Sequence, residues 1–272
     1  MNIDTNATVV ERIDLTEELI IFRVRPDAPI PDFIPGQYVA LGIPAIFARP
    51  AHFPPETDGN PHEKVIRRAY SIGSAPTMKE HLEFYVAILP EGAFTSRLVL
   101  LHKGDRIFTA NKISGTFTLN GVPSNRNLIL VATGTGVAPF LSMLRTESTW
   151  SAERHITLVH GVRYVTDLAY GDELREYERC KTDQFRYFPI VSRGISSQLS
   201  GNGVALKSWN GYQGRVQRIF EEGIVPCNNE TDSVFLCGNP AMIEEMEVLL
   251  IKQGFIVHTK KHPGNLHVEK YW

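Results

Sequence analysis

Leu128-Ile129-Leu130-Val131-Ala132-Thr133-Gly134-Thr135-Gly136-Val137-Ala138-Pro139 decides the fold of the rear half of this chain. Its five leading apolar residues read as a strand buried on both faces. Gly134 and Gly136 then permit a tight turn, and Phe140 to Arg145 reads as the helix that follows, with Pro139 suited to its first turn. A buried strand, a small-residue turn and a helix form the opening unit of a parallel α/β sheet, and the helix N-terminus favours an anion. The alternation continues downstream. Ile156–His160, Tyr187–Val191 and Val234–Cys237 read as further buried strands, and Leu168–Glu178, Val216–Glu222 and Ala241–Gln253 as helices. The expectation is a doubly wound parallel sheet with helices on both faces.

Upstream the pattern is different. Thr8–Ile13, Leu19–Val24, a strand opened by Pro35-Gly36-Gln37-Tyr38, Val65–Ile72, Leu82–Leu89 and Arg106–Ala110 are short, rich in β-formers and separated by Gly/Pro turns. Six such strands predict a small antiparallel β-barrel. The break falls near Val122 to Asn127, so the expected domains are 1–124, a β-barrel, and 125–272, an α/β domain. Pro44 to His62 is a proline-rich excursion with no strand or helix period. His52 and His62 on it read as solvated loop residues, because no second ligand cluster accompanies them; no metal site is expected.

Composition narrows the function. Of the 272 residues 43% are hydrophobic, enough for ordinary globular cores, and a net charge of -2 gives no global reason to bind nucleic acid. The longest apolar runs are too short to span a bilayer, and the N-terminus carries no signal-peptide pattern, so a cytoplasmic protein is expected. Three cysteines, Cys180, Cys227 and Cys237, are too few for the four thiolates an iron–sulfur cluster usually takes.

Arg68-Ala69-Tyr70-Ser71 lies on the fourth of the short strands. Side chains alternate along a strand, so Arg68 and Tyr70 share a face. Arg68 can pair with phosphate through its planar fork, Tyr70 can stack on a flat ring, and Ser71 can reach a ring edge. Four residues alone would equally suit an exposed strand. The strand Phe84-Tyr85-Val86-Ala87 and the turn Gly92-Ala93-Phe94-Thr95-Ser96 add weight, because a small-residue turn exposes N–H groups suited to a pyrophosphate. A Ser/Thr-capped helix start is compatible with the same residues. The reading is a flavin, FAD, on the barrel.

In the rear half, Gly134-Thr135-Gly136 is not the full dinucleotide fingerprint and is weak alone. The arginines carry more. Arg163 and Arg193 follow strands, Arg193 directly after Ser192, and Arg215 precedes a helix. Strand carboxyl ends converge in a doubly wound sheet, and three arginines there suit the 2′-phosphate of NADP(H), where an NAD site would carry an acidic residue. Cys237-Gly238-Asn239-Pro240 follows the last buried strand, and Cys237 is placed to line a nicotinamide pocket; an inert buried cysteine is the plainer account.

Taken together, these segments, with Val159-His160-Gly161-Val162-Arg163, Val191-Ser192-Arg193 and the terminal Tyr271-Trp272, resemble the bacterial ferredoxin/flavodoxin–NADP+ reductase family over nearly the whole chain. The resemblance implies an enzyme exchanging hydride with NADP(H) and single electrons with an acidic ferredoxin or flavodoxin. It assigns Arg68 to the FAD phosphate, Tyr70 to one flavin face, Ser71 to the N5 region, and Ala93, Phe94 and Thr95 to the pyrophosphate. It sets Thr135 between the cofactors, gives Arg163, Arg193 and Arg215 to the 2′-phosphate, and lays Tyr271 and Trp272 over the flavin's other face and its adenine. The expected catalytic set is Ser71, Tyr70, Cys237 and Tyr271. The expected cofactor contacts extend to Ala69, Tyr85, Val86, Ala87, Gly134, Gly136, Ser192, Gly238, Asn239 and Pro240. A monomer is expected, with Arg97, Lys103, Arg106, Lys112, Lys260 and Lys261 as candidates for a basic docking face. Rival readings are an oxygenase's flavin reductase component, a non-catalytic flavoprotein subunit and a nucleotide-binding regulator. Pro44 to Ile66 departs from the family pattern in length and proline content.

Overall fold

The computed structural model describes residues 5–60, 62–150, 154–193 and 209–270. It comprises two compact units, Met1–Thr118 with Ala138–Glu147, and Leu119–Val137 with Ser148–Trp272.

The first unit is the antiparallel barrel. Its strands are β1 (Ala7–Thr16), β2 (Leu19–Pro26), β3 (Tyr38–Pro44), β4 (Val65–Ser71), β5 (Leu82–Ala87) and β6 (Arg106–Thr109), paired in the order β4-β3-β6-β1-β2-β5. The outer strands of that order meet just past β4, where Gly73 donates its N–H to the Glu83 carbonyl at 2.8 Å. Ile20, Phe22, Leu41, Phe84 and Phe94 are fully buried in its core. Each such side chain contributes roughly 1.5–3 kcal/mol through removal from water. A single turn, α1 (Thr95–Leu98), follows the Gly92 turn.

α2 (Ala138–Leu144) also belongs to this unit. Ser142 Oγ donates to the Ser74 carbonyl at 2.8 Å, and Arg145, just past the helix, donates to the Gly73 carbonyl at 2.8 Å. Arg145 also meets the buried Glu83 carboxylate at 2.7 Å, and Arg23 meets the same carboxylate at 2.7 Å from the other side. The helix is thus fixed to the barrel by a buried charge with two partners.

The second unit holds a parallel sheet of β7 (Asn127–Thr133), β8 (Ile156–Val162), β9 (Phe185–Val191), β10 (Tyr212–Gln213), β11 (Asp232–Gly238) and β12 (Leu266–Lys270), in the order β10-β9-β8-β7-β11-β12. Its helices are α3 (Gly171–Cys180), α4 (Gln217–Glu221) and α5 (Pro240–Lys252). α3 begins three residues later than the sequence predicts, because Val165–Asp167 forms a separate 3-10 turn closed by Asp167 on the Tyr164 N–H. α1 takes up the helix start compatible with the Gly92–Ser96 turn, whereas β10 and β12 were not expected: β10 is shorter than a detectable period, and β12 carries a His, a Glu and a Lys in five residues.

Burial would raise the Glu83 carboxyl, but the Arg145 and Arg23 guanidinium groups outweigh it and hold the group below its ordinary value of 4.5. The stabilisation is therefore present above that value and is lost as pH falls through the lowered one. Arg145→Ala, which strips one partner from a buried charge, is expected to cost about 3 kcal/mol in urea unfolding at neutral pH. The stability gap between the native chain and Glu83→Gln should hold from pH 7 down to about the ordinary value of 4.5 and narrow as pH falls further. A gap that stays constant would place the pair's contribution elsewhere.

Candidate active site

On β4, Arg68 and Tyr70 project as strand alternation requires. Tyr70 packs its half-buried ring against Phe94, 5.4 Å between centroids, and edge-on to Phe84 at 6.3 Å. Burial pushes its phenol upward, with Arg68 opposing only in part. Arg67 turns the other way and lies over the Phe108 ring at 4.6 Å. Ala69 is exposed, and Ser71 is buried at the strand end opposite Tyr38.

Arg68 does not point into empty solvent. Its Nη2 donates to Asp58 Oδ2 at 2.5 Å and its Nε to the same oxygen at 3.2 Å. The other Asp58 oxygen accepts the Ala93 N–H at 2.7 Å. One carboxylate thus bridges the strand guanidinium and the turn amide. This tests the fit to a pyrophosphate: the two donors assigned to it converge on a single anion. Burial would raise the Asp58 carboxyl, but the Ala93 N–H and Arg68 together hold it low.

The remaining first-unit residues are less open than the sequence suggests. Tyr85 and Val86 are buried in β5, with Ala87 half-buried. Phe94 is core. Thr95 spends its hydroxyl on the turn, donating to the Leu89 carbonyl at 2.8 Å and accepting the Leu89 N–H at 3.1 Å. Arg97 is buried, so it leaves the candidate docking face: it donates to the Ala93 carbonyl at 2.7 Å and pairs with Glu56 at 2.7 Å.

In the second unit, Gly134–Val137 forms a 3-10 turn directly after β7. Gly134 has φ 53, in the left-handed region. Gly136 has ordinary φ, yet a Cβ there would strike the Cys237 carbonyl and the Gly238 backbone. The two glycines have different reasons for being glycine: the first for conformation, the second for close passage of β7's turn under β11's end. His160, buried in β8, holds the turn from beneath, its Nε2 lying 3.0 Å from the Gly134 carbonyl. A carbonyl only accepts, so Nε2 carries the proton. Burial lowers the imidazole to about 4, with the Gly134 bond opposing, so the ring is neutral at pH 7.

Three arginines sit at the carboxyl ends of three neighbouring strands. Arg163 follows β8, Arg193 follows β9 and Arg215 follows β10. The Arg193 N–H donates to the Arg163 carbonyl at 2.8 Å, so the first two are adjacent along the sheet edge. Ser192 joins the same edge through its N–H to the Val162 carbonyl at 2.9 Å. All three arginines are exposed; Arg163 lies 3.8 Å from Asp167 and Arg215 3.5 Å from Glu245.

Residues 130–247 match the oxidoreductase NAD-binding domain family. The chain is 34% identical over 254 residues to a ferredoxin–NADP reductase of Pseudomonas aeruginosa, covering 88% of this chain and 86% of that one. The chain belongs to the ferredoxin/flavodoxin–NADP reductase family. A flavodoxin/ferredoxin–NADP reductase of Escherichia coli is 30% identical over 93% of each chain. Among solved structures, a ferredoxin NADP+ reductase from Neisseria gonorrhoeae with bound FAD and NADP shares the fold at TM-score 0.76 and 23% identity, over 98% of each chain.

Within this reductase fold, Cys237 is buried and its Sγ lies 3.9 Å from Glu269 on β12, its register partner. Gly238 has φ 131, and a Cβ there would meet Thr133. Asn239 caps α5, accepting the Ala241 N–H at 2.9 Å, with Pro240 as the first helical residue. Glu269 and Asp58 escaped the sequence reading. The one signal for Glu269 was the alternation of Leu266 and Val268 with polar residues; for Asp58 there was none beyond its Asp58-Gly59 turn. Tyr271 and Trp272 lie outside the described residues.

The two glycines give a graded test. Gly134→Ala has open space and only left-handed strain, about 1–2 kcal/mol. Gly136→Ala must displace the β11 backbone and is expected to cost at least about 3 kcal/mol in denaturant unfolding. Equal losses would contradict the close approach.

Proposed function

We propose that this chain is an FAD-dependent oxidoreductase that exchanges hydride with NADP(H) and single electrons with ferredoxin or flavodoxin. The observation that carries the reading is the meeting of the Arg68 guanidinium and the Ala93 N–H on one anion, two residues along β4 from the Tyr70 ring. Flavin, when bound, takes up two electrons as hydride and passes them on singly.

The chain's own residues supply binding, orientation and charge. Arg68 and the Ala93 amide neutralise the pyrophosphate of FAD, and the Tyr70 ring, propped by Phe94 and Phe84, offers a flat apolar face. Ser71 stands at the ring edge. In the second unit, the Gly134–Gly136 turn, kept in place by His160, lets the dinucleotide approach the backbone. Arg163, Arg193 and Arg215 receive the 2′-phosphate. Cys237 and Glu269 line the nicotinamide's position. Chemistry of this kind needs no nucleophile and no general-base triad.

The electron partner is an acidic carrier steered by the exposed lysines Lys103, Lys112, Lys260 and Lys261. We place the protein in the cytoplasm as a monomer. Two observations support the first: among the described residues no helix is long and apolar enough to cross a membrane, and Cys180, Cys227 and Cys237 form no disulfide.

Anaerobic titration tests the reading directly. NADPH is expected to bleach the flavin absorbance stoichiometrically, and NADH far less effectively. Arg163→Ala with Arg193→Ala should weaken NADPH binding by roughly 10–100-fold, the worth of charge-assisted hydrogen bonds, with little effect on NADH. A flavin-free protein, or equal losses for both nucleotides, would overturn it.

A further inference from the structure

The proline-rich excursion between β3 and β4 does not wander into solvent. Glu56 pairs with Arg97 at 2.7 Å, the Thr57 N–H donates to the Glu91 carbonyl at 3.0 Å, and Arg49 donates to the Pro90 carbonyl at 3.0 Å and to Ser96 Oγ at 2.9 Å. The excursion is strapped across the turn that precedes α1, and Asp58 is the next residue after that anchorage. Its carboxylate sits on Arg68 and the Ala93 amide.

Most of the donors at this seat are already engaged. The Nε and Nη2 edge of Arg68 is spent on Asp58, and Nη1 donates to the Arg67 carbonyl at 2.8 Å. Ala93 has a single N–H, and Asp58 Oδ1 accepts it. A phosphate reaching the same two donors would also face the carboxylate at contact distance, and like charges repel there.

We propose that Asp58 competes with the cofactor's pyrophosphate for the seat made by Arg68 and Ala93, so that the strap must release its carboxylate for FAD to bind in full. This rests on the assignment of Arg68 and Ala93 to the FAD pyrophosphate. Gly59 follows Asp58 and provides the backbone freedom for the carboxylate to swing out while Glu56 and Thr57 stay anchored. The consequence is a weakened hold on FAD, confined to its phosphates and absent for the bare ring.

The full-length chain, freed of flavin, would be titrated by flavin fluorescence with FAD and with riboflavin, which has the ring and no phosphate. Asp58→Asn keeps the shape and an acceptor for Ala93 while removing the charge, and Asp58→Ala removes the contact; Arg68→Gln is the reference. Both Asp58 variants are expected to bind FAD roughly three- to fivefold more tightly than the native chain, and riboflavin unchanged. Arg68→Gln is expected to lose FAD affinity selectively. If Arg68→Gln weakens FAD but neither Asp58 variant tightens it, the competition is refuted and the phosphate assignment stands. If Arg68→Gln leaves the ratio of FAD to riboflavin affinity unchanged, the assignment itself falls, and the competition with it.

Discussion

Parallel hydrogen bonding along β7 is the constraint on which the second unit depends. β7 pairs with β8 on one side and β11 on the other, residue for residue from Leu128 with Ile156 and Asp232 with Asn127. Parallel strands end on one edge, so every turn that follows a strand emerges there together. The Gly134 turn, Arg163, Ser192-Arg193 and Cys237-Gly238 share that edge for this reason alone. The same pairing forces the turn after β7 beneath the end of β11, and Gly136 is the residue that passes. His160 belongs to this logic: from the neighbouring strand, it supplies the donor that the left-handed Gly134 carbonyl needs in a dry interior.

In the first unit the decisive contacts are between residues far apart in sequence. Arg68 comes from β4 and Ala93 from the turn after β5, and these two strands lie at opposite ends of the pairing order. Closing the sheet through Gly73 and Glu83 brings their ends together. The buried Glu83 carboxylate, held by Arg23 and Arg145, then secures both that closure and α2. An uncompensated charge at Glu83 would be intolerable in such a site, so its two arginines are structural and unavailable for ligands.

Legibility from sequence followed the range of the interaction. Leu128–Ala132, Ile156–His160 and Val234–Cys237 could be read because a strand buried on both faces must be continuously apolar. Arg68 and Tyr70 could be read because strand alternation is local. β12 could not: it gains burial from β11 while carrying His267, Glu269 and Lys270. Arg97 looked like surface charge, since nothing local announces that the Ala45 and Ala93 carbonyls and the Glu56 carboxylate will surround it. Asp58 was invisible for the same reason. An aperiodic, proline-rich stretch announces a loop but carries no record of where the loop lands.

The two acidic residues of the strap differ in a way that assigns their parts. Glu56 serves Arg97, whose side chain is 9% exposed, and Asp58 serves Arg68, at 33%. A guanidinium as enclosed as Arg97 cannot recruit water, so losing Glu56 would leave a buried charge unpaired, at a cost of several kcal/mol. Arg68 can be hydrated once Asp58 leaves, and an ion pair this exposed is worth only about 0–1 kcal/mol. Anchorage therefore belongs at Glu56 and release at Asp58. A phosphate arriving at Arg68 replaces one anion with another of higher charge, so the exchange needs little net energy from the fold.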